Sequence, residues 1–302
     1  DFFITWNRRN GSTRGGRPLT LSKQLGVHPH VHFSEVRVPF SNFSVFSFNV
    51  VFPSLLLRQL LPLLVNVLFK TYYVVFQAQI LINKKKHFCG GTLVHPKWIL
   101  TAAHCIPKKN KQQKVRIRFG EHNIKEKEGT EIESRVEQFY PYPKFHYQTV
   151  LHDIALVKLE KEIPMTNVTG IACLPEKKMP LKKNILCTTV GWGRTSITSL
   201  KGSDTLQEVQ VPIVRKNKCK KAFTFSINKS QICAGYNIGT KDACVGDSGG
   251  PLMCPSETNN GVTRWYVIGV TSYGEGCGEK GKYGLYTNIS KYIKWIRKTM
   301  LT

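Results

Sequence analysis

Apolar and polar positions along this chain change texture near residue 77. Beyond it, short apolar segments alternate with Gly, Pro, Asn and Lys. Ala78-Gln79-Ile80-Leu81-Ile82, Trp98-Ile99-Leu100 and Val115-Arg116-Ile117-Arg118-Phe119 predict strands. Val209, Val211 and Ile213 alternate with Glu208, Gln210 and Pro212, the pattern of a half-buried strand. The final segment has a different period. Ile289, Tyr292, Ile293 and Ile296 fall at helical spacing, with Lys291, Lys294, Arg297 and Lys298 toward solvent. Many short strands closing on one terminal helix predict an all-β barrel domain.

Residues 1–77 read differently. They contain no cysteine and few acids, and the stretch Val50 to Phe69 is strongly apolar. Its length approaches the ~20 residues of a membrane helix. Pro53, Arg58, Gln59, Pro62 and Asn66 interrupt it, and a central Arg costs roughly 2.5–3.5 kcal/mol on insertion scales. Three readings stay open for this segment: a signal-anchor through residues 50–69, a divergent pro-segment, or sequence foreign to the mature protein. The predicted organisation is therefore an N-terminal segment, 1–77, and one domain, 78–302.

The 302 residues are 41% hydrophobic and 21% charged, enough for a substantial core. All nine cysteines lie between Cys89 and Cys277, with no CxxC pair. That suits a disulfide framework with one thiol left over better than a metal site. Disulfides place the protein outside the cytosol, and secretion is the expected route. The net charge is +25, of which residues 1–77 carry +6 and the rest +19. Lysines cluster at Lys84-Lys85-Lys86, Lys108 to Lys114, Lys182-Lys183 and Lys216 to Lys221. They read as solvated loops or, more sharply, as a patch for sulfated glycan, acidic protein or anionic membrane. No nucleic-acid motif accompanies the charge.

The candidate chemistry lies in three local contexts: Leu100-Thr101-Ala102-Ala103-His104-Cys105, His152-Asp153-Ile154-Ala155-Leu156, and Asp242-Ala243-Cys244-Val245-Gly246-Asp247-Ser248-Gly249-Gly250-Pro251. A serine hydroxyl is a poor nucleophile unless a base, a group orienting that base and donors for the oxyanion surround it. His104, Asp153 and Ser248, in this order and these contexts, resemble the chymotrypsin/trypsin family of serine peptidases from about residue 78 onward. The resemblance implies two six-stranded antiparallel β-barrels with a C-terminal α-helix and a catalytic cleft between the barrels. It also implies an oxyanion hole from the amides of Gly246 and Ser248.

The rest of the site follows from the same resemblance. Asp242 matches the base of a primary pocket that takes Arg or Lys, with Ser272, Tyr273, Gly274 and Gly284 along its walls. Tyr273 stands where relatives usually carry Trp. The implied disulfides are Cys89–Cys105, Cys187–Cys254, Cys219–Cys233 and Cys244–Cys277, leaving Cys173 to tether a light chain. Glu121, Glu128 and Glu131, with the carbonyls of Asn123 and Glu126, match a structural Ca²⁺ loop. Tyr283 resembles the residue of relatives with a Na⁺ site, beside the plainer reading of a packing tyrosine. Asp247 matches the acid that pairs with a new N-terminal ammonium when a zymogen is cleaved. No Ile/Val-Val-Gly-Gly segment stands shortly before Phe76-Gln77, so that acid lacks an evident partner in the sequence. The expected function is a secreted, zymogen-derived endopeptidase acting on proteins after Arg or Lys, restrained by serine protease inhibitors. The alternative is a zymogen-locked, inactive protein that docks partners through its basic surface.

Overall fold

The computed structural model describes residues 33–38, 46–51 and 75–302, except 84–85, 177–178, 180–184, 197 and 258–262. The chain forms two compact units, Asp1–Lys70 and Thr71–Thr302. In the first, β1 (Phe33–Val38) and β2 (Phe46–Val51) make an antiparallel pair with Phe33 opposite Val51. Of the apolar stretch 50–69, only Val50 and Val51 fall within the described residues. No helix among the described residues is long and apolar enough to cross a membrane.

The second unit holds two curled antiparallel sheets. The first contains β3 (Gln77–Ile82), β4 (Lys86–His95), β5 (Trp98–Thr101), β6 (Arg116–Phe119), β7 (Ile132–Ser134), β8 (Val136–Pro141) and β9 (Ala155–Leu159), in the order β7-β6-β3-β4-β5-β9-β8. Only Arg135 separates β7 from β8. Residues 132–141 are thus one bent segment whose start pairs with β6 and whose end pairs with β9. That bend closes a six-stranded barrel and leaves no exposed edge there.

The second sheet contains β10 (Leu186–Gly191), β11 (Gln207–Pro212), β12 (Gln231–Ala234), β13 (Pro251–Glu257), β14 (Thr263–Tyr273) and β15 (Gly284–Asn288), in the order β11-β10-β13-β14-β15-β12. Its outer strands meet where Ile213 bridges Ala234, Val214 N donates to Cys233 O at 2.9 Å and Gly235 N donates to Pro212 O at 3.0 Å. A short helix α1 (Lys216–Lys221) lies between β11 and β12, and α2 (Ile293–Thr299) follows the last strand. The apolar stripe read from the sequence does face inward, with Ile289, Tyr292, Ile293 and Ile296 buried.

Ile80, Leu93, Ile99, Leu100, Ile117 and Leu156 fill the first barrel, and Val211, Leu252 and Tyr286 fill the second. Each such side chain contributes roughly 1.5–3 kcal/mol on burial. Val190, Met253 and Val270 of the second sheet and Ile293 and Ile296 of α2 join the first barrel's apolar cluster. The two barrels therefore share packing as well as polar contacts.

The polar seam between them runs through short backbone approaches. Gly90 N, on β4, donates to Ser248 O at 2.7 Å, and Thr101 Oγ1 donates to Gly90 O at 2.8 Å. Gly249 has φ +79°, and a Cβ there would overlap Thr101 Oγ1 and Gly90 O. Only glycine permits both the left-handed turn and that approach. We expect Gly249→Ala to lower stability by roughly 2–4 kcal/mol, from backbone strain plus overpacking. Chemical denaturation monitored by circular dichroism measures it.

Candidate active site

His104 sits in the 3-10 turn Ala103–Cys105 that follows β5. The Cys89–Cys105 disulfide clamps this turn to β4. Asp153 precedes β9 and is fully buried. Its Oδ1 accepts from His104 N at 2.9 Å and its Oδ2 from His104 Nδ1 at 2.7 Å. This pair of bonds fixes the imidazole's orientation and leaves Nε2 as the outward nitrogen. Nε2 lies 3.8 Å from the Cys105 sulfur. Ser248 lies in the turn before β13 and lines the same cleft as His104. Among the described residues no hydrogen bond joins Ser248 Oγ to His104. Such contacts are often long before substrate binds and tighten in the complex.

Two donors that sequence reasoning did not assign to this task hold Asp153 from the second barrel. Ser272 Oγ donates to Asp153 Oδ2 at 2.6 Å, and Thr287 Oγ1 donates to Asp153 O at 2.7 Å. Ser272 was expected as a pocket wall; it lines the cleft and also braces the carboxylate. Thr287 lies 134 residues from Asp153 along the chain, so no local signal marks it. His87 was missed as well. Its Nε2 lies 2.8 Å from Gly246 O, within reach to hold the peptide whose neighbouring amides were expected to form the oxyanion hole. Gly246 itself has φ +103°. Burial pushes the His87 pKa down, which favours the neutral imidazole. In that form only one ring nitrogen donates, and the Gly246 carbonyl selects the Nε2–H tautomer.

The cleft has a volume of about 580 Å³, and its walls include Ser272, Tyr273, Gly274 and Gly284. Tyr273 packs its ring 5.7 Å from that of Phe225, which also lines the cleft. The Cys244–Cys277 disulfide joins two lining segments. Asp242 does not itself line the cleft; it adjoins the lining residues Ala243 and Gly284. A Cβ on Gly284 would come within 2.8 Å of Asp242 Oδ1, so any side chain there would separate the carboxylate from the cleft. Ala243 N donates to Oδ1 at 2.8 Å and Gly278 N to Oδ2 at 3.3 Å. Burial nevertheless pushes the Asp242 pKa up to about 6. The folded domain then holds a proton that the unfolded chain has lost between the ordinary carboxylate range and about pH 6. Stability contributed by the protonated form falls as pH rises through that window.

Asp247 accepts from Gly193 N and Cys244 N, each at 2.8 Å. Burial raises its pKa too, and among the described residues no cation stands within ion-pair range. The four expected cysteine pairs are the four disulfides of the structure. Cys173 carries an exposed free thiol. Tyr283 is buried and its hydroxyl donates to Asn237 Oδ1 at 2.9 Å.

The loop between β6 and β7 gathers acids. Oxygens of Glu121, Glu128 and Glu131 lie within 4.8 Å of one another. Glu121 is 3% exposed, and its Oε1 is buried without a partner. Its Oε2 accepts from Arg118 Nη1 at 2.8 Å. Glu131 accepts from the amides of Glu128 and Gly129, and backbone amides hold its carboxyl below the usual range. Asn123 O, expected as a ligand, accepts from Glu126 N at 2.9 Å and keeps a second lone pair.

A family model described as Trypsin matches residues 69–296. The chain belongs to the trypsin family. It is 33% identical to Serine protease 1 of Homo sapiens over 222 residues, covering 74% of this chain and 83% of that protein. It is 34% identical to Serine protease 1 of Canis lupus familiaris over 222 residues, covering 74% and 84%. The match begins nine residues before the boundary read from the sequence texture, close to the start of the second compact unit at Thr71. Membership of the trypsin family accounts for the two curled sheets and the serine-protease character of the cleft.

If Asp242 reads the charge of a guest, binding of a small guanidinium or amidinium ion strengthens with pH and levels off above about 6. Below that value affinity falls by about tenfold per pH unit, because the guest must first displace a proton. Isothermal titration calorimetry across pH 4.5–8 measures it. A flat profile would place Asp242 out of the guest's reach.

Proposed function

We propose that the protein is a serine endopeptidase that cleaves after Arg or Lys through an acyl-enzyme. The observation that carries this reading is that His104, bonded to Asp153, and Ser248 line one cleft, with the partly buried Asp242 behind its lining residue Gly284. His104 Nε2 takes the Ser248 proton as Oγ attacks the scissile carbonyl, and the amides of Gly246 and Ser248 receive the oxyanion. His104 then delivers the proton to the leaving amine. Water attacks the ester by the same route, restoring Ser248. Asp153 holds the tautomer and stabilises the imidazolium.

Specificity follows from desolvation. A carboxylate already lifted toward neutrality by burial gains most from a cationic guest, whereas an apolar guest would leave it unpaired. The unpaired, amide-held Asp247 supports a zymogen origin, in which a liberated terminal ammonium completes its charge balance. Four disulfides support secretion into an oxidising compartment. A binding-only protein has no use for His104, Asp153 and Ser248 together, which counts against that alternative.

Ser248→Ala should lower hydrolysis of Arg and Lys amides by about 10⁴-fold or more. Asp242→Ser should leave Ser248 reactive toward an active-site acylating reagent but lower kcat/KM for Arg substrates by roughly 10³-fold or more. Arg-amide kinetics beside acylation stoichiometry separates the two. Amidase activity surviving Ser248→Ala would overturn the mechanism.

The acidic loop also fits a structural Ca²⁺. Glu121, with its orphaned Oε1, would hold it together with Glu128, Glu131 and nearby carbonyls; the ion would supply positive charge among three crowded carboxylates. Its role is stabilising. Ca²⁺ at 100 times its Kd should add about 2.7 kcal/mol of stability. Thermal unfolding with Ca²⁺ and with chelator reads this directly, and Glu121→Gln should abolish the difference.

A further inference from the structure

Five Asn-x-Ser/Thr triplets occur in the chain, at Asn10, Asn42, Asn167, Asn228 and Asn288. In a secreted protein each is a candidate acceptor of an N-linked glycan. Such triplets are common, so the triplet alone decides nothing. The glycan replaces one hydrogen on Asn Nδ2 and leaves Oδ1 as an acceptor. A site suits the fold when Nδ2 is unengaged at the surface and any structural bonds fall on Oδ1. Asn10 and Asn42 lie outside the described residues, and the other three differ in this respect.

Asn167 is exposed in the loop that follows β9. That loop is closed by its threonines. Thr166 N donates to Thr169 O at 3.0 Å, Val168 N donates to Thr166 Oγ1 at 3.2 Å, and Thr169 Oγ1 donates to Pro164 O at 2.5 Å. None of these bonds uses the Asn167 carboxamide, so a glycan there costs the loop nothing.

Asn228 is exposed in the turn between α1 and β12. Its Oδ1 accepts from Ser230 N at 2.7 Å and from Ser230 Oγ at 2.5 Å. Both lone pairs of that oxygen are thus used by the serine of the same triplet. Among the described residues Nδ2 has no partner. The carboxamide is held by its oxygen, and the nitrogen is left for a substituent.

Asn288 makes the same turn, with Oδ1 accepting from Ser290 N at 3.2 Å and Ser290 Oγ at 2.7 Å. Its surroundings are different. It ends β15, is only partly exposed and stands between the buried Thr287 and Ile289. Its backbone N donates to Ser230 O at 2.8 Å, and its Nδ2 lies 3.5 Å from Lys229 O. A sugar on that nitrogen would enter this gap and part the end of β15 from the turn at 228–230.

We propose that the native protein carries N-linked glycans on Asn167 and Asn228 and none on Asn288. This rests on the reading that the chain is secreted. In the transfer, Nδ2 bonds to the anomeric carbon of an oligosaccharide, a lipid-linked diphosphate leaves that carbon, and the transferase takes up the amide proton. The donor is therefore a lipid diphosphate oligosaccharide. Transfer precedes folding, so the fold acts afterwards: a chain modified at Asn288 cannot close its second barrel and is retained.

The test expresses the full chain behind a heterologous secretion leader in a eukaryotic host. Protein is collected from the medium and, separately, from the retained fraction. N-glycanase digestion in heavy-oxygen water converts each occupied Asn to labelled Asp, and peptide mass spectrometry reads each site. In secreted protein Asn167 and Asn228 should each be occupied in more than about half of the molecules, and Asn288 in fewer than about a tenth. The retained fraction should show Asn288 occupancy about fivefold higher or more. Asn167→Gln and Asn228→Gln should each remove one step of gel mobility. Ser230→Ala should remove the Asn228 step, and Ser230→Thr, which keeps the triplet, should preserve it. A peptide map without reductant reports the four disulfides of the same sample. Empty sites at Asn167 or Asn228 in protein whose disulfides have formed overturn the glycan assignment and leave secretion standing. Disulfides that fail to form in that compartment overturn secretion and the proposal with it. Equal Asn288 occupancy in secreted and retained protein overturns the structural distinction.

Discussion

The buried carboxylate of Asp153 is the constraint on which the rest of this domain depends. A charge with no solvent exposure is tolerated only when its lone pairs are filled. Here the donors come from both barrels: the His104 amide and ring from the first, Ser272 Oγ from the second. Thr287, also from the second barrel, grips the same residue's carbonyl. The group that orients the proposed base thus also registers one barrel against the other. Separating the barrels by even an ångström would strand that charge. This couples the precision of the catalytic geometry to the stability of the fold.

A second tension lies under the cleft. Asp242 and Asp247 are both partly buried in the segment that leads into β13, and each is satisfied mainly by backbone amides. Burial raises both pKa values, and Asp247 adds to the shift at Asp242. The domain therefore holds two carboxylates whose ionisation it resists. In the proposed mechanism each has a cation to receive, a substrate side chain for Asp242 and a terminal ammonium for Asp247. The specificity pocket and its activation switch then draw on the same electrostatic debt, and filling one eases the ionisation of the other.

Much of this was legible in local sequence. Strands appear at the apolar segments from Ala78, Trp98 and Val209; the first two are buried on both faces and only the third alternates. The terminal helix was legible from its 3.6-residue period, but begins later than that period suggests. Tyr292, at φ −114° and ψ 0°, separates a 3-10 turn from α2. α1 was not legible, since only Cys219 on it is buried and a lone apolar position has no period. Barrel closure was also hidden. It depends on one bend at Arg135 and one bridge between Ile213 and Ala234, and neither leaves a pattern. His87 and Thr287 escaped for a related reason, since their partners are 159 and 134 residues away. Long-range single hydrogen bonds have no periodicity to read.

The lysine-rich helix α1 and the cleft are joined by one short segment. α1 ends at Ala222. Phe223 packs inward, and Phe225 lies against Tyr273 on the cleft wall. Between the two phenylalanines, Thr224 donates through its amide and hydroxyl to Glu275 Oε1 at 3.1 and 2.9 Å, and Lys282 Nζ holds Oε2 at 2.7 Å. Glu275 is thus the acid that terminates the cationic run before it reaches the catalytic groups. The Cys219–Cys233 disulfide anchors the helix at its other contact.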